Sequence, residues 1–294
     1  MPMFSTAARG ALLVAGSTLA FTVAGAAVDQ AQAQGKLTAN YTISVARIPV
    51  GKITWSTEIG DDSYTSTGSG EASGVLSFLA SGKGSLSTRG TVKDGQLSPT
   101  EFTSDITQDD EKGALKMVLD QGSVTELKAD APAKAGDRVP VTAAHQQGIV
   151  DPLTAWLIAA AGEGNGLGRQ DLGRSACERT LPIFDGQKRY DLKLTFKRMD
   201  KMKADKGYDG PALVCDVTFQ PIAGHRAASP TVKFLAGGRE IELWLAPVAG
   251  TRVLAPIRVS VANMLGNIVV QASEFQATAQ SPMRASIHTP PQAD

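Results

Sequence analysis

From Leu37 onward apolar and polar side chains alternate along the chain. Leu37, Ala39, Tyr41, Ile43 and Val45 fall on one face of an extended segment, with polar residues between them. The same period of two returns at 52–59, 63–72, 82–92, 100–107, 114–119 and 123–127. Turn signals such as Asp94-Gly95 and Gln121-Gly122 recur about every ten residues, a rhythm that predicts antiparallel β structure. Val75, Leu76, Phe78 and Leu79 interrupt it as a short apolar island suited to a helical turn over the sheet. The polar stretch 129–138 reads as a loop.

One segment departs from this period. Asp151 is placed to N-cap a helix and Pro152 to occupy its first turn, where proline loses no bond. Leu153, Trp156, Leu157 and Ala160 follow at helical spacing as one apolar stripe, and the glycine-rich run 162–168 ends it. The reading is a helix over 151–161, too short for the roughly 20 residues that span a bilayer. Its stripe needs cover, which the hollow of a curved sheet supplies. Strands resume at 177–184, 189–196, 212–219, 239–245, 253–261 and 266–275. A charged hairpin loop is expected over 197–210 and another loop over 221–226. Leu192, Leu194, Leu243 and Leu245 then face the stripe of Leu153, Trp156 and Leu157 across an apolar cleft. Trp55, Trp156, Trp244, Phe78 and Phe184 suit the lining of such a cleft and the packing of a core equally well.

The first 33 residues read as a secretory signal peptide: one basic residue, Arg9, an apolar stretch from Ala11 to Val28, and Ala31-Gln32-Ala33 as the cleavage site. The expected organisation is therefore a leader at 1–33, a single curved β domain at 34–279 and a solvated tail at 280–294. The expected location is the periplasm. No later run is long and apolar enough to span a membrane. The chain holds 29 basic and 29 acidic residues, and the balance survives loss of the leader, which removes Arg9 and Asp29. Nucleic acid would call for a basic stripe. Aromatics make up 5% of residues, which suits short strands joined by turns.

Candidate chemistry is sparse. His145, His225 and His288 lack metal-ligand spacing, and no G-x-S-x-G elbow accompanies them. Neither a metal, a cofactor nor a catalytic residue is expected. Gly164-Asn-Gly-Leu-Gly168 follows a helix rather than a strand, so it reads as a helix stop and not a phosphate loop. Asp109-Asp-Glu111 lacks the spacing of a Ca²⁺ loop. The basic stretch 197–206 is a soluble hairpin tip or a contact for anionic lipid. Cys177 and Cys215 are the two cysteines. In an oxidising compartment a disulfide is the simplest reading, with free thiols or a redox couple as alternatives.

The order of several short motifs is similar to a family of exported Gram-negative domains of unknown function. They are Tyr41 with a glycine turn, Asp151-Pro-Leu153, Leu181-Pro-Ile-Phe-Asp-Gly186, and Cys215 with Phe219-Gln-Pro-Ile222. Ile241-Glu-Leu-Trp-Leu245 and Pro256-Ile-Arg258 complete the series. The resemblance covers 36–278. It implies a strongly curved antiparallel sheet, a β-spiral or half-barrel, wrapped around one short helix. The architecture is shared with β-spiral cell-envelope integrity proteins and, more distantly, with lipoprotein carriers. Two functions follow as expectations: a non-enzymatic role in envelope integrity, with envelope proteins or lipid as partners, or a carrier of lipid or another apolar ligand.

Overall fold

The structure, a computed structural model, describes residues 34–72, 82–108, 111–130, 137–160, 173–262 and 267–280. The leader, the tail from 281, the island at Val75–Leu79, Asp109 and Asp110, the glycine run 162–168, and His288 lie outside the described residues.

Seven strands form the first half: β1 (Gln34–Val45), β2 (Ile48–Ile59), β3 (Ser63–Ala72), β4 (Gly82–Lys93), β5 (Gln96–Gln108), β6 (Glu111–Asp120) and β7 (Ser123–Ala129). After helix α1 (Pro152–Ala155) come β8 (Ile158–Ala159), β9 (Arg179–Phe184), β10 (Arg189–Lys203), β11 (Lys206–Gly207) and β12 (Asp209–Ala223). Helix α2 (Pro230–Ala236), β13 (Ile241–Pro247), β14 (Val253–Val261) and β15 (Ile268–Gln280) follow. They make one sheet in the order β7-β6-β5-β4-β3-β2-β1-β15-β14-β13-β12-β10-β9, not closed into a barrel. Neighbours on this path are antiparallel. β8 pairs with β14, and β11 pairs with β15 in parallel.

Local chemistry accounts for the hairpins. Ala46-Arg47, Asp94-Gly95 and Gln121-Gly122 all hold positive φ at both residues, the two-residue turn whose twist matches that of the flanking strands. On β1, Leu37, Ala39 and Tyr41 are buried while Lys36, Thr38 and Asn40 between them are not.

The helix is shorter than its periodicity predicts. Asp151 caps it as expected, accepting from Leu153 N (2.9 Å) and Thr154 N (3.0 Å), with Pro152 in the first turn. After one turn, however, Ile158 and Ala159 pair with Leu254 and Val253, and Ala160 N donates to Arg252 O at 2.8 Å. The cause lies in β14. It pairs with β15 only over Arg258–Val261, so its first half needs another partner for its backbone groups, and 158–160 supply one.

Two further expectations are corrected. The charged stretch 197–203 is strand, not loop, because its cations meet carboxylates on neighbouring strands: Lys197 pairs with Asp216 and Arg198 with Glu242. Strand β12 likewise runs through Pro221 to Ala223. Helix α2 is unanticipated, although Ser229 caps it and Pro230 opens it.

Two backbone features join distant parts of the sheet. Ile149 N donates to Gly122 O in the β6–β7 turn at 2.9 Å. Its neighbour Val150 exchanges bonds with β9, through Val150 N to Pro182 O (2.9 Å) and Phe184 N to Val150 O (3.0 Å). Where β14 leaves β15, the tip of the β10–β12 hairpin docks instead, with Tyr208 edge-on to Phe275 at 5.6 Å.

Candidate functional site

The apolar face of β1–β5 is filled at one end and open at the other. Leu37, Ile59, Tyr64 and Phe102 are at most 3% exposed. Farther along the same strands Ile43, Ile53 and Leu86 are only half-buried, and Ile106 is 49% exposed. They border a cavity of about 730 Å³, within the usual range for small-molecule sites. Leu153 and Trp156 of the α1 segment stand at its inner end with Trp55 and Tyr41. Val259 and Val270 line the β14–β15 side.

Its floor is paved with glycine. Gly68 and Gly70 on β3 share a face, and Gly70 sits directly opposite Gly84 on β4. The sequence signal is a G-x-G pair within each of two strand patterns, 63–72 and 82–92. Glycine inside a strand weakens it and marks close approach of another group.

A buried polar network supports the inner end. The Asp151 carboxylate, fully buried, accepts from both backbone N–H groups of its cap, from the Thr88 hydroxyl (3.1 Å) and from the Thr154 hydroxyl. The Tyr64 hydroxyl lies 2.6 Å from Thr154 Oγ1. Burial pushes the Asp151 carboxyl above its usual range, against the pull of these hydrogen bonds, and pushes the Tyr64 hydroxyl up as well. Two of these four bonds cap the helix, and the two from hydroxyls tie its start to β3 and β4 through Tyr64 and Thr88. Trp55 Nε1 donates to Ser66 Oγ at 2.6 Å on the neighbouring strand, and the Tyr41 hydroxyl to Pro256 O at 2.7 Å. Both rings are thereby fixed.

The sequence-derived cleft residues divide between two places. Leu153 and Trp156 border the cavity; Leu157, 5% exposed, packs in the core beneath it. Leu192, Leu194, Leu243 and Leu245 are buried in a second cluster with Ala155, Ile158 and the disulfide, on the other side of the α1 segment. The wall facing Leu153 and Trp156 is thus formed by Ile53, Trp55 and the glycines. Phe184 is buried in the first cluster. Cys177 and Cys215 are bonded, with Cα atoms 5.4 Å apart, tying the turn Arg174–Cys177 to β12.

Trp244 lies apart, its Nε1 donating to Glu242 Oε2 at 3.0 Å, with the Arg198 and Arg258 guanidiniums 5.1 and 5.6 Å from its ring. Arg198, then Lys197 and Trp244, hold the Glu242 carboxyl down at about 2. Asp216, Glu240 and Glu242 could together hold a cation. The Lys197 ammonium already fills that role, at 2.9, 2.7 and 3.0 Å from their oxygens, and they raise its pKa. His145 accepts from Thr142 N at 3.1 Å in the turn Ala143–Gln146, remote in role from the cavity. Among the described residues, no helix is long and apolar enough to cross a membrane.

No curated protein matches this chain. Among solved structures it is similar to a beta-barrel-like protein of Domain of Unknown Function DUF1849 from Brucella abortus. That match has 9% identity and a TM-score of 0.45, covering 83% of this chain and 98% of the other. A putative lipoprotein from Parabacteroides distasonis matches at 8% identity and a TM-score of 0.27, covering 84% of this chain and 97% of the other. A hypothetical protein from Chlamydia trachomatis does so at 10% and 0.28, covering 83% and 89%. A family profile described as "Protein of unknown function (DUF3108)" matches residues 40–273, and the chain belongs to that family.

Proposed function

We propose that the protein is an exported, non-enzymatic binding protein that carries a lipid or similar apolar ligand in the cavity beside α1, in the service of the cell envelope. The observation that carries this reading is the apolar space of about 730 Å³ that the described residues leave open, bordered by Leu153, Trp156, Trp55 and Ile53. A protein acting only as a scaffold gains stability by filling such space, since each half-buried Ile, Leu or Trp forgoes apolar burial at about 25 cal/mol per Å². The disulfide supports an oxidising compartment, and the leader read in the sequence supports the periplasm. The non-enzymatic reading rests on Asp151, whose carboxylate is taken up by two capping N–H groups and by the Thr88 and Thr154 hydroxyls.

The proposal includes curvature. One dipeptide, Ile149-Val150, bonds both the β6–β7 turn and β9, which stand at opposite ends of the strand order. A sheet meeting that condition bends around α1 as a trough.

The test is native mass spectrometry of the mature protein purified from its own periplasm. A fraction carrying an extra lipid mass, lost on denaturation and absent from a co-purified soluble control, is the expected result. Protein that is ligand-free as isolated and also fails to take up a fluorescent fatty acid would overturn the proposal. Trp55 and Trp156 border the cavity and report uptake; Trp244→Phe removes the remote signal.

A further inference from the structure

We infer that the glycine row Gly68, Gly70 and Gly84 is the seat of a single straight hydrocarbon chain, and that these positions set the ligand's class. The inference rests on the binding function proposed above.

The argument starts from what the fold requires of each glycine. At Gly90, Gly207, Gly224 and Gly250 a Cβ would stand 1.9–2.3 Å from a backbone oxygen, so a side chain is excluded by the protein itself. Gly68 and Gly70 differ. Both hold ordinary extended backbone. A Cβ on Gly70 would meet Ile53 Cγ1 and Lys52 O at 3.5 Å each, and one on Gly68 would meet Leu153 Cδ2 at 3.5 Å. These are normal contacts. Gly84 is tighter, 3.2 Å from Ile106 Cγ1. The fold thus tolerates side chains at 68 and 70, and strand physics favours them, because glycine in a strand loses about 0.5–1 kcal/mol relative to alanine. At Gly68 glycine leaves room for the Leu153 side chain, and at Gly70 it preserves space that the described residues leave open.

The shape of that space points to its occupant. Gly70 and Gly84 are cross-strand partners, so there the bare strip is two strands wide, with Ile53 on one flank and Ile106 on the other; at Gly68 it narrows to one strand, between Trp55 and Leu86. Along β3 it runs from Gly68 to Ala72, roughly 14 Å at the usual strand rise. Leu153 and Trp156 stand at the Gly68 end, and Ala72 and Gly82, where β3 ends and β4 begins, border the other. A narrow, long, apolar trough of this kind fits an extended acyl chain lying along β3 and β4. The chain's methyl end rests against Leu153, and its polar head lies at the other end, beside Ala72 and Gly82. A compact planar polycycle is shorter than the strip and fills only part of its length.

The experiment titrates delipidated mature protein with straight-chain fatty acids of increasing length, by displacement of cis-parinaric acid, and separately with pyrene. Wild type should bind the straight chains, more tightly with length up to a cut-off, and pyrene far more weakly. Gly70→Val should weaken straight-chain binding at least about tenfold, the effect of intruding carbon atoms on an apolar pocket. Its melting temperature should be unchanged or raised. Gly68→Ala provides a gentler intrusion should Gly70→Val melt early. Straight-chain binding unaffected by both substitutions would overturn the inference and leave the carrier function standing. So would wild-type preference for pyrene. A wild type that binds neither probe would remove the carrier function as well.

Discussion

Replacing Asp151 tests the claim that a buried carboxylate, rather than helix propensity, starts α1. Its oxygens accept four hydrogen bonds from Leu153 N, Thr154 N, Thr88 Oγ1 and Thr154 Oγ1. In Asp151→Ala the hydroxyls keep other partners, Thr88 at Glu101 O and Thr154 at Tyr64. The two backbone N–H groups do not. Orphaning buried donors costs about 1–3 kcal/mol apiece, and loss of a cap about 0.5–2 kcal/mol for the same groups. Counting them once gives a loss of about 3 kcal/mol. Asp151→Asn keeps a carbonyl oxygen for both N–H groups and turns its amide toward hydroxyls able to accept, so about 1 kcal/mol is expected. Urea unfolding followed by tryptophan emission measures both. Asp151→Ala within ~0.5 kcal/mol of wild type, an error typical of such measurements, would refute the reasoning. The pH dependence adds a check of sign. Burial raises the carboxyl above its unfolded value, so the native state binds its proton first as pH falls. The resulting stability is fully present below the unfolded pKa and is lost as pH rises through the folded one. The advantage of wild type over Asp151→Asn should therefore shrink as pH increases.

Three other outcomes are expected. Cys177→Ser should destabilise the oxidised protein by about 2–4 kcal/mol, and peptide mapping without reductant should recover one cross-linked pair from wild type. Leu157→Trp should overpack the core and cost about 1–3 kcal/mol; an unchanged melting temperature would mean that Leu157 borders free space. Glu242, held at about 2 chiefly by Arg198, contributes stability that is present above its unfolded pKa and lost as pH falls through about 2. Glu242→Gln should flatten the acid limb of the stability–pH curve, and an unaltered limb would discount the network.

The β strands were legible because alternation needs one covered face, and Leu37-Ala39-Tyr41 display it plainly. The length of α1 was not. The spacing of Leu153, Trp156, Leu157 and Ala160 fits a three-turn helix, yet 158–160 answer a vacancy on β14 that only the completed pairing reveals. Charge misled at Lys197 and Arg198, which suggest solvent until Asp216 and Glu242 are known to lie beside them. Leucine identity placed Leu192 and Leu243 indoors without telling which side of the α1 segment they cover. The cavity floor was hidden for a related reason. Glycine carries no pattern of its own, and Gly70 matters through its partner Gly84, a register that local sequence does not specify.

The pairing of the first strand with the last has a consequence for how the protein is assembled. β1 meets β15 along its whole length, from Gln34 opposite Gln280 to Val45 opposite Ile268. A chain emerging from its N-terminus therefore displays β1 as an unpaired edge until the final strand arrives, and such edges invite pairing with other molecules. Contacts this distant in sequence form slowly. The folding protein depends on protection of one strand through nearly its entire synthesis, and a truncation that removes β15 should cause aggregation rather than yield a smaller soluble domain.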